Sequence, residues 1–459
     1  MEKNELVYKI ISEDMQRERL YPSDSIIPVE KKAVHYLGRI LDKKELASQF
    51  LYHCPMYYDQ ADIFWMWDSE ECRWKQIDDL DVLNMIDLAS ECNVINGKER
   101  SEIINAIKLM ARRQRPLEVN GNIIQFKKEL LNLETGDRFP ATSQYFIKNP
   151  IPHRLGKNAD VSKFEKLFSE WVSKEDVPKL FEILAYALLP SYPLERTFYL
   201  YGSGANGKSV FREIMRKFLG DYNVCSTSLT LLTSNSRFES AKLYGKLMCE
   251  MGETNITKME NTEIIKKLVS GKDLIGCEWK HKGQIDFINY AKLVISTNNL
   301  PPTDDKQDGF YRKTLIIDFP NTFTEQRDIM SEITEEDYEN LAMYSVGVLI
   351  DLLKRRAFSN EGDFQARRER YEHRSNPLDK FWNLFVDDGD PNADISSFEF
   401  EKRINEWCRE NRMRILSDRT IAAFLKGKGI QQVRLRREWY ENDKAVQRMV
   451  RCWGGIKWK

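Results

Sequence analysis

The stretch LYGSGANGKSVFREIM, Leu200 to Met215, restricts this chain's core more than any other. Gly202 to Ser209 reads G-x-x-x-x-G-K-S in full. RTFYLY (196–201) ahead of it is apolar and aromatic, as a buried strand should be. VFREIMRKFLG behind it sets Val210, Ile214, Met215 and Phe218 on one helical face. A strand that turns through glycines into a helix converges backbone N–H groups on the helix's positive end, which is an anion site. Gly202, Ser203, Gly204, Ala205, Asn206, Gly207, Lys208, Ser209 and Val210 are therefore the candidate nucleotide-binding residues. Lys208 is expected to reach the β- and γ-phosphates and the Ser209 hydroxyl to help hold Mg²⁺. Kinases, GTPases, transporters and motors all use such a loop, so the rest of the chain must narrow the choice.

About forty residues on, KLYGKLMCEMGETN carries a short apolar strand, Leu247, Met248, Cys249 and Met251, with Glu253 at its end. A carboxylate there binds Mg²⁺ through water and polarises an attacking water. Glu250, inside the same strand, is the rival, and the division of labour between the two acids stays open. NYAKLVISTNNLPP (289–302) is a second buried-strand pattern, and Asn298 at its tip is the side chain expected to orient water against a γ-phosphate. Asn299 and Pro301-Pro302 read as turn chemistry. In DDKQDGFYRKTLIIDF (304–319), Arg312 and Lys313 precede a further apolar strand. A guanidinium never loses its proton, so one aimed at a neighbouring copy's γ-phosphate would serve as an arginine finger. Read alone, each of these residues also has a plain structural account, as a strand end or a solvated cap. Their order, loop then acid then Asn then Arg, favours the functional one.

The 459 residues exceed one ordinary core, and no apolar run approaches the ~20 residues of a membrane span. The N-terminus, MEKNELVYKIISEDMQRERL, alternates charged and apolar residues at helical spacing and lacks a signal-peptide centre, so a cytoplasmic location is expected. Eight cysteines are scattered without a C-x-x-C pair beside five histidines, which disfavours a zinc site and favours free thiols. The net charge of −1 hides a basic tail: residues 401–459 carry 16 Lys/Arg against 7 Asp/Glu.

Upstream, DIFWMWDSEECRWKQI (62–77) reads as a β-hairpin, and NGNIIQFKKELLNLETGDRFP (120–140) as a second one bracketed by Asn120-Gly121 and Thr135-Gly136-Asp137. Helical faces follow at Phe164, Leu167, Phe168 and Trp171, then at Leu180, Ile183, Leu184 and Ala187, up to Pro190. Helices are expected over 335–358 and 364–376, then a Pro/Asp/Gly-rich passage at 387–397. The basic tail reads helix, turn, helix, strand, returning strand, the order of a winged helix. Arg419 and Lys426 on its second helix and Arg434 and Arg436 on its first long strand are candidate DNA contacts. A protein-docking role for this tail is the competing account.

The core resembles the superfamily-three helicases, in particular the phage and plasmid primase-helicases related to the poxvirus primase-helicase. The resemblance rests on Asn206-Gly207-Lys208-Ser209, Glu253, Lys267-Leu268-Val269-Ser270-Gly271-Lys272-Asp273, Asn298-Asn299-Leu300-Pro301 and Arg312. It extends upstream to WDSEECRW and to NGNIIQF…TGDRF, covering roughly residues 55–325. Relatives often carry more than one acid after the third strand, whereas here Thr254 and Asn255 follow Glu253. Nor does the region ahead of the core show an acid-x-acid pair with a downstream His, so a separate primase or polymerase is the expected partner.

The resemblance implies an α/β fold: an AAA+-like P-loop ATPase core with an α+β N-terminal region and a C-terminal winged-helix domain. The expected division is 1–115, 116–190, 191–325, 326–386 and 387–459. It also implies a homo-oligomeric ring, a hexamer, with ATP and Mg²⁺ between subunits, acting on single-stranded and forked DNA. A central-channel hairpin is implied at CEWKHKGQIDF (277–287), whose tip residues Lys280, His281 and Lys282 would touch the strand. The activity implied is ATP-dependent unwinding in the replication of a mobile element. The alternatives are an initiator that melts an origin without processive unwinding, and a protein-remodelling or packaging ATPase.

Overall fold

The computed structural model describes residues 43–459 apart from 91–96, 120, 235–236, 253–258, 260–261, 280–282, 304, 306–307, 325–326, 411–412, 414 and 442–443, and omits the side chains of 88–90 and 438–447. The helical reading of the first twenty residues, Asn120, Glu253 and the tip Lys280, His281 and Lys282 lie outside the described residues.

The fold is mixed α/β and centres on five parallel strands: β1 (Thr197–Tyr201), β2 (Val224–Thr227), β3 (Met248–Met251), β4 (Lys292–Thr297) and β5 (Thr314–Asp318). Their order across the sheet is β2-β3-β4-β1-β5. Every residue of β1, β4 and β5 is buried, which is why the middle of each strand reads as a continuous apolar run rather than an alternating one. β1 runs directly into helix α1 (Lys208–Leu219), so the phosphate loop sits at the carboxyl edge of the sheet, between the ends of β4 and β5. Phe211, Ile214, Met215 and Phe218 form the fully buried face of α1, while Val210, expected on that face, is only partly buried.

Two helices from outside the sheet complete this core. Val177–Ala187 is buried nearly all round, not on one face alone, and packs against Glu335–Arg355. The latter starts at a Thr334/Asp337 capping box. Lys292, fully buried at the start of β4, donates to the carbonyls of Leu189 (2.5 Å), Ser191 (2.9 Å) and Tyr290 (2.9 Å). It thereby ties the end of the Val177–Ala187 helix to the sheet, and burial pushes its pKa well down.

The N-terminal unit surrounds a three-stranded antiparallel sheet with helices Lys43–His53, Asp79–Ser90 and Gly97–Arg113. The first expected hairpin is present, with Phe64–Asp68 paired to Arg73–Ile77 and Trp67 opposite Trp74. The second is a three-stranded meander, Ile123–Phe126, Glu129–Asn132 and Arg138–Pro140. Its first turn falls at Lys127, whose φ of 44° puts a lysine in the left-handed region, so the usual Gly or Asn signal was missing.

The C-terminal unit has its own core, built on Phe381, Trp382, Phe400, Ile404, Trp407, Ile421, Leu425 and Trp453. Strand Asp394–Ser396 leads into helix Ser397–Glu410, then helix Asp418–Gly427 and a long hairpin, Gln432–Glu441 with Lys444–Gly454. Helix Pro377–Phe385, ahead of the Pro/Asp/Gly-rich passage, packs into this core as well.

Candidate nucleotide-binding site

The geometry of the phosphate loop follows from two glycines. A Cβ on Gly202 would lie 2.3 Å from both the Asn206 side-chain amide nitrogen and the Phe319 carbonyl oxygen. Gly207 takes φ +94°, and a Cβ there would lie 2.6 Å from the ring of Trp171. The loop is thus pressed between the end of β5 and a buried tryptophan, and only glycine fits at either point.

Three further contacts fix its outer side. The Asn206 amide donates to the Phe319 carbonyl at 3.1 Å, the Phe323 N–H donates to the Ala205 carbonyl at 2.7 Å, and the Ser203 and Thr322 hydroxyls pair at 3.1 Å. Trp171 and the strap 319–323 were missed by sequence reasoning. Pro320-Asn321, just past an apolar strand, is the one local hint of a loop there.

Lys208 is 4% exposed, and its ammonium donates to the carbonyls of Gly202 and Ser203 (2.7 Å each), to Asn206 Oδ1 (3.0 Å) and to Asn298 Oδ1 (3.3 Å). The expected lysine and the expected asparagine therefore meet, brought together because β4 lies next to β1. Ser209 is exposed at the first turn of α1. Glu250 lies 3.6 Å from Arg212 of α1, both largely shielded, so its carboxylate has an ion-pair partner on the loop's own helix.

These residues suit a nucleotide phosphate and its Mg²⁺: a tight glycine cradle, an ammonium and a helix start, with one exposed hydroxyl. Among the described residues no group of three or more His, Cys, Asp or Glu is placed to hold a metal by itself. A hard cation brought in on phosphates needs no such cage.

Arg312 is at the other end. It closes helix Asp308–Arg312 just before β5, is exposed, and so lies at the amino edge of a sheet whose carboxyl edge holds Lys208. A five-residue parallel strand separates the two edges by roughly 16 Å.

At the carboxyl edge a different arginine appears, one the sequence did not reveal. Arg374, from helix Phe364–Ser375, makes a two-pronged pair with Asp318 at 2.7 and 2.6 Å, and both residues are buried.

The segment 267–273 forms a turn. The Ser270 hydroxyl accepts the N–H groups of Lys272 and Asp273, Gly271 takes φ +65° against Tyr192, and the hairpin strand Leu274–Glu278 follows. That strand pairs with Gln284–Ile288, so the hairpin expected at 277–287 is present and begins three residues earlier. Its turn end is anchored: Trp279 and Ile285 pack against a cluster of Tyr57, Trp65, Trp74 and Phe146 from the upstream regions. Arg419, Lys426, Arg434 and Arg436 are all exposed on the C-terminal unit. No helix among the described residues is long and apolar enough to cross a membrane.

Residues 200–313, the phosphate loop through Lys313, match a family described as of unknown function, DUF5906. A protein of Acanthamoeba polyphaga mimivirus named as a candidate helicase, L207/L206, is 26% identical over 237 residues. That match takes in 48% of this chain and 24% of the viral protein. Apo structures of the NrS-1 C-terminal region match at a TM-score of 0.45. One is 10% identical and covers 90% of this chain and 100% of that one. Another, of residues 305–718, is 12% identical and covers 90% and 99%.

Proposed function

We propose that this chain is an ATP-dependent DNA helicase acting in replication of a phage, plasmid or other mobile element. Copies assemble into a ring, a hexamer, that travels on single-stranded DNA. The core is then AAA+-like and the C-terminal unit a winged helix. One observation carries the reading: Arg312 and the phosphate loop lie at opposite edges of one sheet, so the guanidinium cannot serve its own loop and is available to a second copy. The similarity to a viral protein named as a candidate helicase supports the choice of substrate.

In this reading the loop's N–H groups and Lys208 bind the β- and γ-phosphates, and Asn298, already within reach of Lys208, orients the attacking water. Glu253 polarises that water, with Glu250 the rival. The neighbour's Arg312 stabilises charge on the transferred phosphoryl group. Bound Mg²⁺, held by the Ser209 hydroxyl and through water by Glu253, would neutralise phosphate charge. The hairpin strands Leu274–Glu278 and Gln284–Ile288 carry Lys280, His281 and Lys282 onto the DNA strand, and Arg419, Lys426, Arg434 and Arg436 touch DNA outside the channel. A separate primase or polymerase supplies synthesis.

Strand displacement from forked DNA, paired with particle images that count subunits, tests the proposal. ATP-driven displacement by rings, absent in Lys208→Ala, is the expected result. ATP turnover at full rate by single copies, with no displacement, would sink it. Melting of only a few base pairs at one site would favour an origin-melting initiator, a reading to which the exposed cations of the C-terminal unit also lend themselves.

A further inference from the structure

A buried cysteine standing alone packs as a small apolar group. The described cysteines are free thiols, and two of them do not stand alone: Cys225 of β2 and Cys249 of β3 are register partners in adjacent parallel strands. Among the described residues no other cysteine faces a cysteine across a ladder; Cys277 is opposite Ile285, and Cys452 is opposite Ser396 and Val433. Register partners project from the same face of a sheet, and neighbouring strands lie about 4.8 Å apart. That spacing falls inside the range of roughly 4.4–6.8 Å between α-carbons that a disulfide spans. The two thiols already touch, and this contact together with burial pushes the Cys249 pKa well up.

The surroundings suit a reaction there. β2 is the edge strand of the five, four residues long and hydrogen-bonded to β3 alone, so a small shift that brings the sulfurs together disturbs one ladder only. Cys225 is partly exposed and Cys249 fully buried, which leaves one sulfur open to a reagent and the other behind it. Two ammonium groups lie within electrostatic reach, Lys242 of Cys249 and Lys246 of Cys225. Lys246 is itself held in place, donating to the Tyr222 carbonyl at 2.6 Å. A cation beside a sulfur eases its attack, because the thiolate is the nucleophile. Side chains alternate along a strand, so Glu250 points to the opposite face, where it meets Arg212 of α1. Joining the two sulfurs leaves that ion pair in place.

We propose that Cys225 and Cys249 are a dithiol site that small-molecule disulfides convert, reversibly and in the folded chain, into a bond stapling β2 to β3. The Cys225 thiolate attacks one sulfur of the small disulfide, forms a mixed disulfide and expels the first small thiolate. The Cys249 thiolate then attacks the Cys225 sulfur, closes the bond between the strands and expels the second. The two thiol protons end on the two small thiolates, and the electron pair lost by the protein reduces the small disulfide. The proposal needs neither nucleotide nor DNA, so it stands apart from the motor reading.

The test places the full chain in buffers of reduced and oxidised glutathione at stepped ratios, then quenches with acid, alkylates and maps the peptides by mass spectrometry. A linked Cys225–Cys249 peptide, lighter by two hydrogens and split again by dithiothreitol, is the expected product. At a fixed level of reduced glutathione, half-conversion should need at least about tenfold less oxidised glutathione in the folded chain than in urea. A bond that the fold favours stabilises the fold by the same factor, so the oxidised chain's urea midpoint should rise and fall back on reduction. Cys249→Ser should trap glutathione on Cys225, and Cys225→Ser should leave Cys249 unmodified; Ala serves at either position where Ser prevents folding. Three results would overturn the proposal: both thiols free in the folded chain at the most oxidising ratio, glutathione persisting on Cys225 of the parent with Cys249 free, or a linkage that forms only in urea.

Discussion

Gly207 carries two constraints at once, and they can be separated. Its φ of +94° disfavours any Cβ, and that Cβ would also meet the Trp171 ring at 2.6 Å. Gly207→Ala should therefore lose about 1–2 kcal/mol to backbone strain and a further ~1–3 kcal/mol to overpacking, read as a lower urea midpoint. Adding Trp171→Leu should recover the overpacking share of the midpoint and leave the strain. Asn298 makes a different prediction. It touches Lys208 at 3.3 Å through a neutral amide, so Asn298→Ala should keep nucleotide affinity within a few-fold while turnover drops by about a hundredfold or more. Equal loss in binding and turnover would mean that the amide only props the lysine.

Lys208 and Asn298 were legible because each belongs to a short local pattern, a glycine loop or a strand tip. Trp171 and Phe319 were not. The contact between Asn206 and Phe319 spans 113 residues, and nothing near either one marks it.

Among the elements, helix Phe364–Ser375 was legible as a helix but not as a brace. FQARRERYEHRS looks like a solvated charged face, yet Arg367, Tyr371 and Arg374 are buried. Arg374 spans 56 residues to hold Asp318, whose strand end leads into the strap over the phosphate loop. Removing one member of such a pair strands a charge in the interior. Arg374→Met should cost about 3–5 kcal/mol of stability, and Arg374→Met with Asp318→Asn should return much of it, as measured by urea unfolding. If the double variant is no more stable than the single, the guanidinium matters through its packing on Tyr201 rather than through its charge. The same distinction explains the meander at 123–140. Its strands showed in the alternation, but a left-handed Lys127 gives no turn signal, so one hairpin was expected where three strands formed.

At the scale of the whole molecule, the sheet order decides what one copy can do alone. β5 runs parallel to β1, so whatever precedes β5 is held a strand's length from the phosphate loop. Arg312 precedes it, and no side-chain rotation carries a guanidinium around the sheet's edge to Lys208 of the same chain. Arg312→Ala should accordingly bind ATP like the parent and hydrolyse it at least about a thousandfold more slowly, the scale on which such fingers act. Lys208→Ala should fail by losing its hold on the phosphates instead. Mixing the two inactive variants should restore activity, because some interfaces then join an intact Lys208 loop to an intact Arg312. The recovered rate should peak near equal amounts and vanish at either extreme. Absence of rescue at every ratio, with mixed particles verified, would mean that Arg312 acts within its own chain or not at all. The separation of the two edges would then have no bearing on catalysis.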